Sequence, residues 1–537
     1  MLSKQTALIG AWVLGGMVAA QGASAQSSPT QLQHDRCATA RVSAMVSAPI
    51  QIESVSYVPA TQIVPAHCAI VGFIEHGSRI GFSVALPDTW NKKFLFFGIG
   101  GFAGVLEPLE RGVARGYATA TTDTGHKGSS LEDATWALNN PAAVRNHFET
   151  SVDITARSLK TLTAAYYGAV PTRAYFEGCS AGGRQGVIEA QRFPGTFDGI
   201  VAAAPAWNYT KLLTTFILNG KRILQSPDNW VPPQMFARID RVVMQQCDAS
   251  DGLSDQIVTD PRQCKPDLRE LLCKSGSDAQ SCLTPAQLHT IQALVAPDFA
   301  KRGSGYFGFP LTGSERTAGY SWGWSEWFFG TVPPRADDSG AMNFVPNTWP
   351  RDPKQGLGPN QFVLGEQFFR YIVMADPKFD ARSFQLERDG ERLDRNLGEL
   401  LDADDTDLGA FVRTGGKLLL WHGWSDPAIP AEMAVDLHAR IRRDTRQQPG
   451  QVPTDEAVRL FMAPGVQHCG GGFGLTSFDA LGALEQWVEH GNAPERIVAT
   501  LLIDDKPVRS RPWCAYPKAA RYRGTGNSDD AASFDCR

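Results

Sequence analysis

Tyr175-Phe176-Glu177-Gly178-Cys179-Ser180-Ala181-Gly182-Gly183 contains the pattern G-x-S-x-G. A strand-like run, Arg173 to Glu177, leads into it, and a small-residue segment, Arg184 to Arg192, continues from it as a helix. Strand, tight turn and helix are the context in which such a serine becomes a nucleophile. Glycines at 178 and 182 permit the turn and close helix–strand packing, and the turn projects Ser180 above the sheet edge. The first amides of the following helix then face whatever reacts there. In a chain with 52 glycines the pattern alone is weak, because a glycine-rich turn with an incidental serine would also produce it. Its placement between strand and helix favours the nucleophile.

Outward from this turn, Phe94 to Ile99 is a short apolar run ending in glycines, as a buried strand does. Val152 to Tyr167 has helical spacing, and Ile200 to Ala204 is another buried strand that ends at Pro205. Strands alternating with helices predict a parallel sheet covered on both faces. The rhythm stops near 208 and returns near 410. There Lys417 to Trp421 and Ala457 to Met462 read as strands, and Ala431 to Arg442 and Ala480 to Glu489 as helices. The stretch between holds Trp322, Trp324, Trp327, Phe328 and Phe329, many glycines and prolines, and Cys247, Cys264, Cys273 and Cys282. It reads as an insertion folded over the sheet. The expectation is an α/β-hydrolase fold with a large inserted lid: a catalytic domain over 26–207 and 409–537, and a lid over 208–408.

In this fold the partners of the serine follow in the order acid, then histidine. Of ten histidines, only His438, His468 and His490 lie after a plausible acid. His438 falls in a helical pattern and His490 at a helix end, which points both to the surface. His468 follows a strand, within Pro464-Gly465-Val466-Gln467-His468-Cys469-Gly470, where a base can reach back to Ser180. Asp426 closes the loop after a buried strand, in Trp421-His422-Gly423-Trp424-Ser425-Asp426-Pro427, and could fix the imidazole tautomer. A turn aspartate before proline is its plainer reading. The acids from Asp402 to Asp407 read as solvated surface. Gly98-Ile99-Gly100-Gly101-Phe102-Ala103-Gly104 suits an oxyanion loop, with the amides of Gly101 and Ala181 as donors.

The chain has 537 residues, 43% of them hydrophobic, and a formal net charge of −5 without a basic run. That argues against nucleic acid and against an anionic membrane surface as partners, since both need concentrated positive charge. Lys4, the apolar run Ala7 to Ala20 and Ala23-Ser24-Ala25 read as an export signal cleaved after Ala25, leaving 1–25 as signal peptide. The apolar run is short for a membrane anchor. Ten cysteines without a single CxxC point to disulfides in a secreted or periplasmic protein rather than to metal binding.

Taken together, Gly178-Cys179-Ser180-Ala181-Gly182-Gly183-Arg184, His468-Cys469 and His422-Gly423-Trp424-Ser425-Asp426 resemble the tannase and feruloyl esterase family, which includes mono(2-hydroxyethyl) terephthalate hydrolase. The resemblance covers nearly the whole mature chain. It implies a disulfide between Cys179 and Cys469. Joining successive cysteines that close short loops adds Cys37–Cys68, Cys247–Cys264, Cys273–Cys282 and Cys514–Cys536. It also implies that Cys247-Asp248-Ala249-Ser250-Asp251-Gly252-Leu253-Ser254-Asp255-Gln256-Ile257 is a calcium loop. Side chains of Asp248, Asp251 and Asp255 and carbonyls of Leu253 and Ile257 would hold a structural ion. Without the resemblance the same loop reads equally as a solvated acidic turn.

The function so implied is hydrolysis of esters of hydroxycinnamic or gallic-type aromatic acids through an acyl-enzyme. Feruloyl esterase stands first, and tannase or terephthalate monoester hydrolase is the alternative. A serine peptidase of the same fold and a non-catalytic secreted protein that binds phenolics are the rivals of other classes. Neither an organic cofactor nor a protein partner is implied. The lid tryptophans read equally well as lid core and as substrate contacts.

Overall fold

The computed structural model describes residues 35–537 apart from 129, 277, 279–280, 303–304, 318–321, 338–339, 346–355 and 446–452. The expected export signal and its cleavage after Ala25 lie outside the described residues.

Nine strands form one sheet: β1 Ile50–Val58, β2 His67–His76, β3 Ser78–Pro87, β4 Lys93–Phe97, β5 Ala118–Thr122, β6 Arg173–Cys179, β7 Gly199–Ala203, β10 Lys417–Gly423 and β11 Val458–Ala463. A two-residue ribbon, β8 Arg335–Ala336 with β9 Met342–Asn343, lies in the long segment between β7 and β10. The sheet order is β1-β2-β3-β5-β4-β6-β7-β10-β11. β1, β2, β3 and β5 pair antiparallel in succession, and from β5 onward every pairing is parallel. Of the strands in parallel pairs, all but β5 are the ones read from sequence as apolar runs. All five residues of β5 and of β7 are buried, as strands covered by helices on both faces must be. β2 instead alternates buried with half-buried positions along most of its length.

The register puts the carboxyl ends of five parallel strands along one sheet edge. Phe97 pairs with Glu177, Cys179 with Ala203, Ala203 with Trp421, and Gly423 with Ala463. Among the loops that leave these ends are Gly98–Gly104, the Ser180 turn, the Asp426 loop and the His468 loop. An open α/β sheet builds its site on this edge.

Helices Ser151–Tyr167, Ala181–Arg192, Glu432–Asp444 and Ala480–His490 cover the sheet. The segment from β7 to β10 begins with helix Tyr209–Leu224, whose apolar face is buried. Its residues share one hydrophobic core with the sheet, in which Trp207, Phe216 and Ile217 sit beside Phe176 and Ile200. Trp324, Phe328 and Phe329 form a second aromatic group with Phe236 and Phe309. β12 Arg496–Ile503 pairs with β13 Lys506–Cys514, and β14 Ala520–Tyr522 with β15 Phe534–Cys536. Five disulfides hold the chain: Cys37–Cys68, Cys179–Cys469, Cys247–Cys264, Cys273–Cys282 and Cys514–Cys536.

Two surface expectations are corrected. Asp402 is buried and accepts from the Thr210 amide at 2.8 Å and the Thr210 hydroxyl at 2.7 Å. Burial pushes its carboxyl up to about 6 against the pull of those bonds. His438 is buried too, with Tyr516 from the C-terminal region set edge-on against its ring at 6.1 Å. Burial lowers its imidazole to about 4. In both cases the covering residue comes from far along the chain, so local periodicity carries no sign of it.

Arg184 joins the nucleophile helix to the end of the inserted segment. At 2% exposure its guanidinium donates to the carbonyls of Leu401 at 2.6 Å, Phe148 at 2.8 Å and Leu400 at 3.3 Å. Replacing Arg184 with leucine would leave these buried acceptors short of donors, each worth about 1 kcal/mol. Arg184→Leu should therefore lower unfolding free energy by about 3 kcal/mol, read by urea denaturation against the parent. A loss under 0.5 kcal/mol would show that water replaces the guanidinium.

Candidate active site

Ser180 occupies the turn between β6 and helix Ala181–Arg192 at φ 63° and ψ −122°, a strained conformation for a residue with a Cβ. Its amide is tied to the Ala203 carbonyl at 3.0 Å. The turn can close because position 178 is glycine: a Cβ there would come within 2.5 Å of the Gly182 carbonyl oxygen.

His468 stands in the loop after β11. Its Nδ1 donates to Asp426 Oδ2 at 2.8 Å. Asp426 is buried, and three further donors hold it: the amides of Ala428 at 2.8 Å and Ile429 at 2.9 Å on Oδ1, and His422 Nε2 at 3.0 Å on Oδ2. Burial by itself would raise the Asp426 carboxyl. The charge on His468 and the hydrogen bonds from His422 and His468 outweigh burial and hold it well below the ordinary carboxylate range. His422 Nε2 also meets the Ile429 carbonyl at 3.1 Å. A carbonyl cannot donate, so this nitrogen carries the proton. The His422 Nδ1 is buried without a partner, as the neutral tautomer requires.

Ser180 and His468 line one cavity of about 740 Å³ at the sheet edge. The disulfide between their neighbours, Cys179 and Cys469, sets those Cα atoms 5.9 Å apart and joins the two loops directly. Trp322 and Trp327 line the same cavity, and Trp327 stands edge-on to the His468 ring at 5.7 Å. The aromatic run thus divides: Trp324, Phe328 and Phe329 are buried, while Trp322 and Trp327 face the cavity. On another wall Arg111 pairs with Glu177 at 2.8 Å.

Gly101 lines the cavity at φ +57°, pressed so closely to Leu131 that a Cβ would lie 2.4 Å from the Leu131 carbonyl oxygen. Ala181 lies buried behind Ser180 at the first position of its helix, where an amide has no intrahelical acceptor.

The acidic loop lies elsewhere. Asp251, Leu253, Asp255 and Ile257 line one small cavity of about 30 Å³ with Arg511. Asp255 Oδ2 accepts from Arg511 at 2.6 Å, while its Oδ1 is buried without a hydrogen-bond partner. Burial raises this carboxyl, and Arg511 offsets only part of the rise. Asp248 turns Oδ1 to the amides of Asp255, Gln256 and Ile257 at 3.1, 2.9 and 3.3 Å. Among the described residues no group of three or more His, Cys, Asp or Glu side chains converges as a metal cage. Beside Arg511 the cavity offers two carboxylates, oxygen donors of the kind a hard cation takes.

Sequence reasoning missed His422, although it lies four residues before Asp426 in the same stretch. It also missed Trp327 against His468 and the Arg111–Glu177 pair. None of these carries a local signal, since each contact is made by packing.

The family model described as tannase and feruloyl esterase matches residues 68–537. An uncharacterised esterase of Xanthomonas campestris pv. campestris is 34% identical, the match covering 88% of this chain and 84% of that protein. The mono(2-hydroxyethyl) terephthalate hydrolase of Piscinibacter sakaiensis is 30% identical over 88% of this chain and 85% of its own. The crystal structure of feruloyl esterase B from Aspergillus oryzae superposes with a TM-score of 0.79 at 25% identity, covering 94% of this chain and 100% of that one. The chain belongs to the tannase and feruloyl esterase family.

Proposed function

We propose that this protein is a serine carboxylic ester hydrolase that releases aromatic acids of the hydroxycinnamic type, as a feruloyl esterase does. The observation that carries this reading is the meeting of two loops at one cavity: the strained Ser180 turn and the His468–Asp426 pair, joined by Cys179–Cys469. Ser180 Oγ attacks the ester carbonyl while His468 takes its proton, and Asp426 keeps Nδ1 of His468 protonated so that the other nitrogen serves as base. The amides of Gly101 and Ala181 receive the oxyanion. Collapse breaks the ester C–O bond, and the alcohol leaves with the proton from His468. Water then repeats the sequence on the acyl-enzyme, releasing the acid and restoring Ser180. Aromatic acids are favoured because Trp322 and Trp327 wall the cavity beside His468 and because feruloyl esterases stand among the relatives.

Two further parts of the reading concern setting. Five disulfides imply an oxidising compartment, which fits export to the periplasm or beyond. A structural calcium ion held by the side chains of Asp248, Asp251 and Asp255 and the carbonyls of Leu253 and Ile257 would neutralise the clustered acids. Bound there it would supply loop rigidity and take no part in the ester chemistry.

Ser180→Ala and His468→Ala should each cut kcat on methyl ferulate by roughly 10⁴-fold or more, measured as ferulic acid released per folded enzyme. A panel with gallate and terephthalate monoesters ranks the acyl group. Near-parental turnover by Ser180→Ala would sink the mechanism.

Prolonged chelation should lower the melting temperature, and added calcium should restore it, because an ion bound only to the native state stabilises by mass action. Elemental analysis of untreated protein should find about one calcium per chain. Its absence, with no thermal shift, would remove the ion from the reading.

A further inference from the structure

Behind the Gly98–Gly104 loop lies a buried cluster that the reaction steps leave unused: His126, His147, Trp136 and Thr124. The His126 ring stacks on Trp136 with centroids 3.7 Å apart and planes 17° from parallel. His126 Nε2 donates to the Phe102 carbonyl at 2.9 Å, and Trp136 Nε1 donates to the same oxygen at 3.1 Å. His147 is buried against this pair, its ring edge-on to His126 with centroids 5.3 Å apart. The Thr124 hydroxyl sits between the two rings, 2.9 Å from His147 Nδ1 and 3.4 Å from His126 Nδ1.

A peptide unit is planar, so fixing a carbonyl fixes the N–H of the next residue. The Gly101 carbonyl shares its plane with the Phe102 N–H, which donates to Leu131 at 2.8 Å. The Phe102 carbonyl shares its plane with the Ala103 N–H, which donates to the Gly100 carbonyl at 3.3 Å. That Gly100 carbonyl in turn shares a plane with the Gly101 N–H. Three consecutive peptide planes are thereby pinned from behind. The Gly101 N–H has no backbone acceptor among the described residues, and Gly101 lines the cavity beside Ser180.

We propose that His126 and Trp136 are positioning residues for ester hydrolysis: they hold the carbonyl of Phe102 so that the Gly101 N–H stays aimed at the developing oxyanion. The inference rests on the hydrolase reading and on the oxyanion role of Gly101. A neutral His126 suits the task, since it commits its single N–H to the Phe102 carbonyl. Burial lowers His126 to about 4, and burial with His126 and Arg184 nearby holds His147 well below its ordinary value. The clamp therefore keeps its donors through the neutral range.

A misplaced oxyanion donor weakens the transition state and leaves the ground state alone, so the signature is a fall in kcat at constant KM. Trp136→Phe keeps a ring against His126 and removes one N–H. It should lower kcat on methyl ferulate roughly 3–10-fold, with KM within about threefold of the parent. His126→Phe removes the other donor and should cost roughly 30–100-fold in kcat, and His126→Gln, which restores an N–H donor, should recover part of the loss. Thermal melts separate these effects from unfolding, and if His126→Phe does not fold, Trp136→Phe decides. Folded variants within twofold of the parent kcat would overturn the proposal, as would a rise in KM at unchanged kcat. A parent with no esterase activity would instead overturn the hydrolase reading and this inference with it.

Discussion

Taking a carboxylate out of water costs several kcal/mol unless donors replace the lost hydration. Asp426 meets that cost with two backbone amides and two imidazole nitrogens, and its side chain has no exposed surface. The amides come from its own loop, His422 from β10, and His468 from the loop after β11. A charge held this way fixes more than itself. It sets the tautomer of His468, the orientation of that ring toward the cavity, and the spacing between two neighbouring parallel strands. The parallel register that places β4, β6, β10 and β11 with their carboxyl ends on one edge is what brings the Gly98–Gly104 loop, the Ser180 turn and the His468 loop to one cavity.

The disulfide at the centre acts in the same direction. Cys179 and Cys469 are 290 residues apart in sequence, and each is the immediate neighbour of a residue proposed to act in the reaction. A bridge there prevents the serine turn and the histidine loop from separating. Preorganisation of this kind places reacting groups before substrate arrives, which lowers the barrier. The buried Arg184 links the nucleophile helix to residues 400–401 and so couples the same turn to the end of the insertion. Trp327, set against His468, brings the insertion into contact with the site itself.

Much of this was legible beforehand. The apolar runs at 94–99, 173–177, 200–204, 417–421 and 457–462 are strands of the sheet, because central parallel strands must be apolar on both faces and therefore stand out in any window. The antiparallel strands β1 to β3 escaped notice, since an alternating pattern interrupted by polar residues reads like many loops. The serine turn was legible because its glycines are required by backbone sterics at that point. The burial of Asp402 and His438 was not, because Thr210 and Tyr516 reach them from distant parts of the chain.

What the sequence determined by itself is everything that a local rule enforces. Those features are the class of fold, the serine in its turn, the strand ends that carry Asp426 and His468, and the pairing of cysteines that are near neighbours in the chain. Only the tertiary structure decided that His422 shares the Asp426 carboxylate, that Trp322 and Trp327 face the cavity while Trp324 is buried, and that His126 and His147 stand behind the Gly101 loop. The reason is physical: a hydrogen bond or ring contact acts over a few ångströms, and residues that far apart in space can be hundreds apart in the chain. A side chain's partners are therefore set by which strands pair and which loops cross, and its own neighbours in sequence do not encode them.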